Sequence, residues 1–149
     1  MIDESQGFTL VREVDATPEE VWAAWTDPDE AADWWHPRNT RTPRDEVEID
    51  ARVDGRYVYT MVNEDSGERV VTGGVYREVV PFERLVFTWG NPDDEPDDQP
   101  VITVTLEPVG DRTRMTFDLR GVSGTPGDGY FYDGWVDALD SLEEHLSAS

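Results

Sequence analysis

The chain has 149 residues, with 34 acidic side chains against 12 basic ones, a formal net charge of −22, and no cysteine. That length supplies one domain with a core of its own and little room for a second. The missing thiols exclude disulfides, a thiolate nucleophile and cysteine-ligated metal, and the acidity excludes a nucleic-acid partner and disfavours an anionic membrane surface, both of which require a basic face.

All 12 basic residues are Arg, with no Lys. Carboxylates at this density repel one another at low ionic strength, and molar salt screens that repulsion over ~3 Å. The expectation is therefore a haloadapted protein. The N-terminus has no basic-then-apolar signal pattern and no 18-residue apolar run exists, which points to a soluble cytoplasmic protein. Six Trp, five Tyr and five Phe argue against disorder, since burying one such ring of ~200 Å² is worth on the order of 5 kcal/mol before entropy.

In chain order, Phe8, Leu10 and Val14 put one apolar face on a first strand. Thr17-Pro18-Glu19-Glu20 is a capping box with Pro at the first helical position, and it starts a short helix carrying Val21, Trp22, Ala24 and Trp25. Asp27-Pro28-Asp29-Glu30 repeats that grammar for a second short helix with Ala31, Trp34 and Trp35, stopped by Pro37. Residues 38–45 read as a polar loop.

The period then changes to two. Val47 and Ile49 suggest a strand, Asp54-Gly55 a turn, and Tyr57, Tyr59 and Met61 the inner face of the next strand. Val70 to Val80 follows, with Gly73-Gly74 in its middle predicting a bulge or sharp bend. Leu85, Phe87 and Trp89 alternate again. Asn91 to Asp98 is an acidic hairpin loop, and Ile102, Val104, Leu106 and then Met115, Phe117, Leu119 give two more inner faces. Gly121 to Gly129 is a link, with Thr125 offering a cap.

From Tyr130 to Leu146 the period is 3.6. Phe131, Trp135, Ala138, Leu139, Leu142 and Leu146 share one side, and Asp133, Asp137, Asp140, Glu143 and Glu144 the other. One strand, two short helices, six strands and a long helix make an α+β domain, with a curled antiparallel sheet and the helix lying across it.

The runs TPEEVWAAWTDPDEAADWWHP (17–37), DGRYVYTM (54–61), GGVYREVVPFERLVFTW (73–89) and TVTLEPVGDRTRMTF (103–117), followed by Gly134-Trp135 in the last helix, resemble the activator of heat shock protein 90 ATPase homologue-like family of the START / Bet v 1-like (SRPBCC) superfamily. The resemblance covers nearly the whole chain in order. It implies the helix-grip fold, a single domain over 1–149, and a cavity between sheet and C-terminal helix. Two positions depart from the family pattern: His36 stands where Trp-Trp is usually followed by Gly, and Asp54 where a Gly-Gly pair is usual. The eukaryotic co-chaperone's additional N-terminal domain has no counterpart in these residues.

The cavity candidates are Trp25, Trp34, Trp35, Tyr57, Tyr59, Met61, Phe87, Trp89, Val104, Phe117, Phe131 and Trp135. They offer an apolar space for a small hydrophobic or aromatic molecule, with Tyr hydroxyls and Trp N–H groups to orient it. Three functional readings stand side by side. The first is a non-enzymatic binding module. The second is a cyclase or dehydratase of the kind the superfamily contains, using Tyr57, Tyr59, Arg77, Glu78 or His36; which way Arg77 and Glu78 face stays open. The third is a protein-interaction role, as a homodimer or with a chaperone, for which Trp34 and Trp35 would have to face water. His36 reads as an exposed cap residue. No HExxH, paired His, P-loop, nucleophile elbow or dinucleotide fingerprint is present, so neither metal nor cofactor is expected.

Overall fold

The computed structural model describes residues 3–36, 39–128 and 131–147. Strand β1 (Gly7–Val14) leads into helices α1 (Pro18–Thr26) and α2 (Pro28–Trp34). Short strands β2 (Thr40–Arg41) and β3 (Glu48–Ile49) precede β4 (Arg56–Asn63), β5 (Arg69–Val80), β6 (Arg84–Thr88), β7 (Val101–Val109) and β8 (Arg112–Arg120), and helix α3 (Phe131–Ser147) follows. The strands join in the order β1-β8-β7-β6-β5-β4-β2, with β3 also paired to β4. Every pairing is antiparallel. This is the expected helix-grip architecture, with a curved sheet holding one long helix.

The capping box at Thr17 forms as read: Glu20 N–H donates to the Thr17 hydroxyl, and the Glu20 carboxylate accepts from Thr17 N–H. Asp27 caps α2 through Asp29 N–H at 2.9 Å. The predicted stop at Pro37 and the start at Tyr130 lie outside the described residues. At the head of α3 the structure corrects the expected Thr125 cap: the Asp128 carboxylate accepts from the N–H groups of Tyr132 and Asp133.

The loop predicted over 38–45 contains β2 and the beginning of a 3₁₀ turn at Arg44–Glu46, and a second 3₁₀ turn, Pro96–Asp98, sits in the acidic hairpin loop. The bend predicted at Gly73-Gly74 resolves into two features. The register shift falls further on, between Tyr76 and Glu78. The glycines instead mark a close crossing of backbones: a Cβ at Gly74 would lie 2.2 Å from the Thr88 carbonyl oxygen, and one at Gly73 2.4 Å from that of Tyr57. Here β5 leaves β4, its partner through Val75, and takes up β6 from Tyr76. The transfer lets one long strand serve both halves of the sheet.

The core lies between sheet and helices. Trp25 is at its centre, with ring centroids of Trp34, Trp35, Phe87, Phe117 and Trp135 all within 6.4 Å. On α3, Trp135, Ala138, Leu139, Leu142 and Leu146 are buried as the helical period requires. Polar ties hold α3 in place at its outer side. Arg12 of β1 reaches Asp140 and Glu143 at 2.8 Å, and His145 lies 3.1 Å from Glu30 and 3.2 Å from Asp33 of α2.

Candidate functional site

The sheet and α3 do not close completely on each other. Between them is a cavity of about 240 Å³ lined by Trp35, His36, Tyr59, Met61, Trp89, Phe131, Gly134, Trp135 and Ala138. Each wall follows from local structure. On β4, Tyr59 and Met61 are two residues apart and so share a face. On α3, Phe131, Gly134, Trp135 and Ala138 follow the i, i+3, i+4, i+7 rule and form one stripe. Trp35 and His36 come directly after α2, and Trp89 directly after β6.

Six of the twelve candidates meet here: Trp35, Tyr59, Met61, Trp89, Phe131 and Trp135. The other six, Trp25, Trp34, Tyr57, Phe87, Val104 and Phe117, are buried outside the lining and pack on one another. Phe131 is 41% exposed, which places it at the mouth rather than under the helix. Gly134 and Ala138 belong to the lining and were not among the candidates, and His36, named above for the cyclase reading alone, belongs to it as well. Ala138 and Gly134 were legible in principle, because they share the helical stripe of Trp135. His36 is half-buried and not the exposed cap residue expected, because its Nδ1 turns inward to the Thr42 hydroxyl at 3.1 Å.

Gly134 has a specific effect on the space. A Cβ built there meets nothing within 4 Å, so the missing side chain leaves an opening in the helix face. A glycine in a helix interior costs about 1 kcal/mol relative to Ala, and here it widens the cavity.

The polar atoms of the site divide into paired and unpaired. Tyr59 Oη accepts from Trp89 Nε1 at 3.1 Å. The indole N–H groups of Trp35 and Trp135 are buried and have no hydrogen-bond partner among the described residues. Trp25 Nε1 and the Tyr76 hydroxyl are also unpartnered, on side chains outside the lining. Trp34, by contrast, donates to the Ala24 carbonyl at 2.8 Å. Burial raises the pKa of the Tyr59 phenol above its ordinary value, so it stays protonated. Burial lowers the pKa of His36, against an opposing pull from Asp33 and Glu64, and favours the neutral imidazole.

Arg77 and Glu78 settle outward. Arg77 donates to Asp97 of the acidic loop at 2.8 Å, and Glu78 pairs with Arg84 at 3.2 Å. Tyr57 gives its hydroxyl to the Thr88 carbonyl at 2.6 Å. Among the described residues no three His, Asp or Glu converge as metal ligands, and no helix is long and apolar enough to cross a membrane.

Comparison with known proteins agrees with this architecture. The family described as Activator of Hsp90 ATPase homolog 1-like protein matches residues 15–147. The crystal structure of a protein from Chromobacterium violaceum is similar at 30% identity and a TM-score of 0.81, covering 95% of this chain and 97% of that one. The AHSA1 protein of Silicibacter pomeroyi is 27% identical, with a TM-score of 0.79 over 95% of this chain and 98% of its own. A protein from Arthrobacter aurescens, solved by NMR, is 26% identical with a TM-score of 0.81 over 100% of this chain and 92% of that one. A search of curated proteins found no match. The chain belongs to the Activator of Hsp90 ATPase homolog 1-like family, within the START / Bet v 1-like (SRPBCC) superfamily.

Proposed function

We propose that this protein is a non-enzymatic carrier or sensor that holds one small hydrophobic or aromatic molecule in the cavity between β4 and α3. The observation that carries the reading is an apolar space of about 240 Å³ walled by the rings of Trp35, Tyr59, Trp89, Phe131 and Trp135. A guest of matching size and shape would remove this apolar wall from water.

Two other readings have less support. Cyclase or dehydratase chemistry would have to work through His36 and Tyr59 alone, since Arg77 and Glu78 are outside and the Tyr57 hydroxyl is committed to Thr88. A docking patch at Trp34 and Trp35 would need both rings at the surface, and they are 0% and 2% exposed. The family name concerns a chaperone activator, and nothing in the cavity selects a chaperone as partner.

Native mass spectrometry on protein purified from its own host, in a volatile salt concentrated enough to keep it folded, tests the proposal. The expected result is a reproducible added mass that is lost on denaturation. The Gly134→Leu variant, in which the side chain occupies the cavity, should purify without that mass. Apoprotein from both chains, or the same adduct on both, would contradict the reading. The same reading places the protein in the cytoplasm and in high salt, where a net charge of −22 is screened. Circular dichroism should show the fold strengthening from low to molar KCl, and equal stability at both ends would oppose haloadaptation.

A further inference from the structure

The sheet has a second side, turned away from the helices and the cavity. Cross-strand register sets Val11, Thr116, Thr105, Arg84 and Val80 in one row across β1, β8, β7, β6 and β5. The next row is Thr9, Asp118, Thr103, Val86 and Glu78, and Glu13, Arg114 and Glu107 form part of a third. Their neighbours along the strands, such as Leu10, Phe117, Val104 and Leu85, face the other way and are buried in the core. Helices α1 and α3 meet the sheet on that core side, where Trp25 and Trp135 pack on Phe117. Val11 and Val80, at the two ends of the first row, are 56% and 38% exposed.

The charge on this outer face is unlike that of the rest of the chain. Arg84, Arg112, Arg114 and Arg120 stand against Glu13, Glu78, Glu107 and Asp118, four of each sign. The remaining eight arginines and thirty carboxylates carry the whole net charge of −22. Three pairs are closed within the face: Arg84 with Glu78 at 3.2 Å, Arg114 with Glu107 at 3.4 Å, and Arg120 with Asp118 at 2.9 Å. Threonine and valine fill the space between them. The outer side of α3 is the contrast, with five carboxylates and no arginine anywhere in the helix. A sheet face turned to water is polar as a rule, and elsewhere this chain makes its polar surface acidic. A neutral face is one that another acidic body approaches without repulsion.

We propose that the outer face of β1, β8, β7, β6 and the end of β5 is the contact between two copies of this chain, packed sheet to sheet about a twofold axis. A basic partner would be drawn to the acidic surfaces instead, whereas a second copy is itself acidic and meets the same neutral patch on itself. Four strand spacings of ~4.8 Å and eight residues at ~3.3 Å outline ~500 Å² on each copy. The two together reach about 1,000 Å², enough for a weak specific pair. The cavity lies on the opposite side of the sheet, so the pairing stands whether or not the cavity binds a ligand.

Sedimentation equilibrium in molar KCl tests this. The mass should rise from 16.9 kDa toward twice that value as concentration goes from about 1 μM to about 1 mM. Thr116→Glu, which puts a carboxylate in the middle of the face, should weaken the pair at least about tenfold. Ser66→Glu adds the same charge at the exposed turn between β4 and β5 and should leave it unchanged. Carbodiimide labelling of carboxylates in the unaltered protein decides the matter even where a variant fails to fold. Glu13 and Glu107 should lose reactivity as concentration rises, while Asp93 and Asp94 of the acidic loop keep theirs. A single 16.9 kDa species throughout would overturn the proposal. So would species heavier than a dimer, equal weakening by both variants, or protection of the acidic loop in place of Glu13 and Glu107.

Discussion

Two regions of this molecule bury polar atoms, and they treat them in opposite ways. Where β5 crosses from β4 to β6, Gln99 donates to the carbonyls of Gly73 and Asn91, at 3.1 and 2.6 Å, and accepts from the Thr88 hydroxyl at 2.7 Å. The Thr88 hydroxyl in turn accepts from Val75 N–H at 2.9 Å, and the Thr88 carbonyl accepts from Tyr57. The polar groups of this knot answer one another across three strands and a loop. At the cavity the indole N–H groups of Trp35 and Trp135 have no partner. A network that is complete fixes one packing, whereas the cavity wall, built of aromatic rings, leaves open space.

The largest expected effect comes from breaking the complete network. Gln99→Leu strands the Thr88 hydroxyl and two carbonyls, and should lower unfolding stability by about 3 kcal/mol in chemical denaturation. Tyr57→Phe removes a single donor from the same knot and should cost about 1 kcal/mol. Neither variant touches the cavity lining, so neither should change ligand affinity in any chain that still folds.

The smallest effect is on the other side of the comparison and depends on pH. His36 has its folded-state pKa pushed below the 6.5 of an unperturbed imidazole by burial, with Asp33 and Glu64 resisting the shift. The unfolded chain therefore takes up this proton first as pH falls. The stability from keeping His36 neutral is fully present above about pH 6.5 and is lost as pH drops through the folded value. Relative to His36→Phe, the natural protein should lose stability over that window.

Much of the architecture was open to reading, and for definite reasons. The capping box at Thr17 is a local signal with a local cause, and it formed. The 3.6-residue stripe of α3 placed Trp135, Leu139 and Leu142 correctly because burial alone dictates it. The cavity was harder. Trp25 and Trp35 look alike in sequence, each on a short helix among other aromatics, yet one is the centre of the core and the other a cavity wall. That distinction depends on how far α3 stands from β4, a tertiary distance with no periodic signature. Gly134 reads as a weak point in a helix, and only the absence of neighbours around its Cβ position shows that it opens the cavity. Arg77 and Glu78 fell on strand faces of mixed character, and their outward turn follows from the register shift beside them.

The most direct measurement of the central claim is the ¹H–¹⁵N spectrum of the six indole N–H groups, assigned by Trp→Phe variants, with and without a saturating small aromatic probe such as 2-naphthol. The account predicts that the Trp35 and Trp135 signals move most, with Trp89 at the cavity wall shifting as well. Trp34, already bonded to Ala24, should stay in place. A bound ligand that leaves Trp35 and Trp135 unmoved, or that perturbs Trp34 or the outlying Trp22 instead, would contradict it.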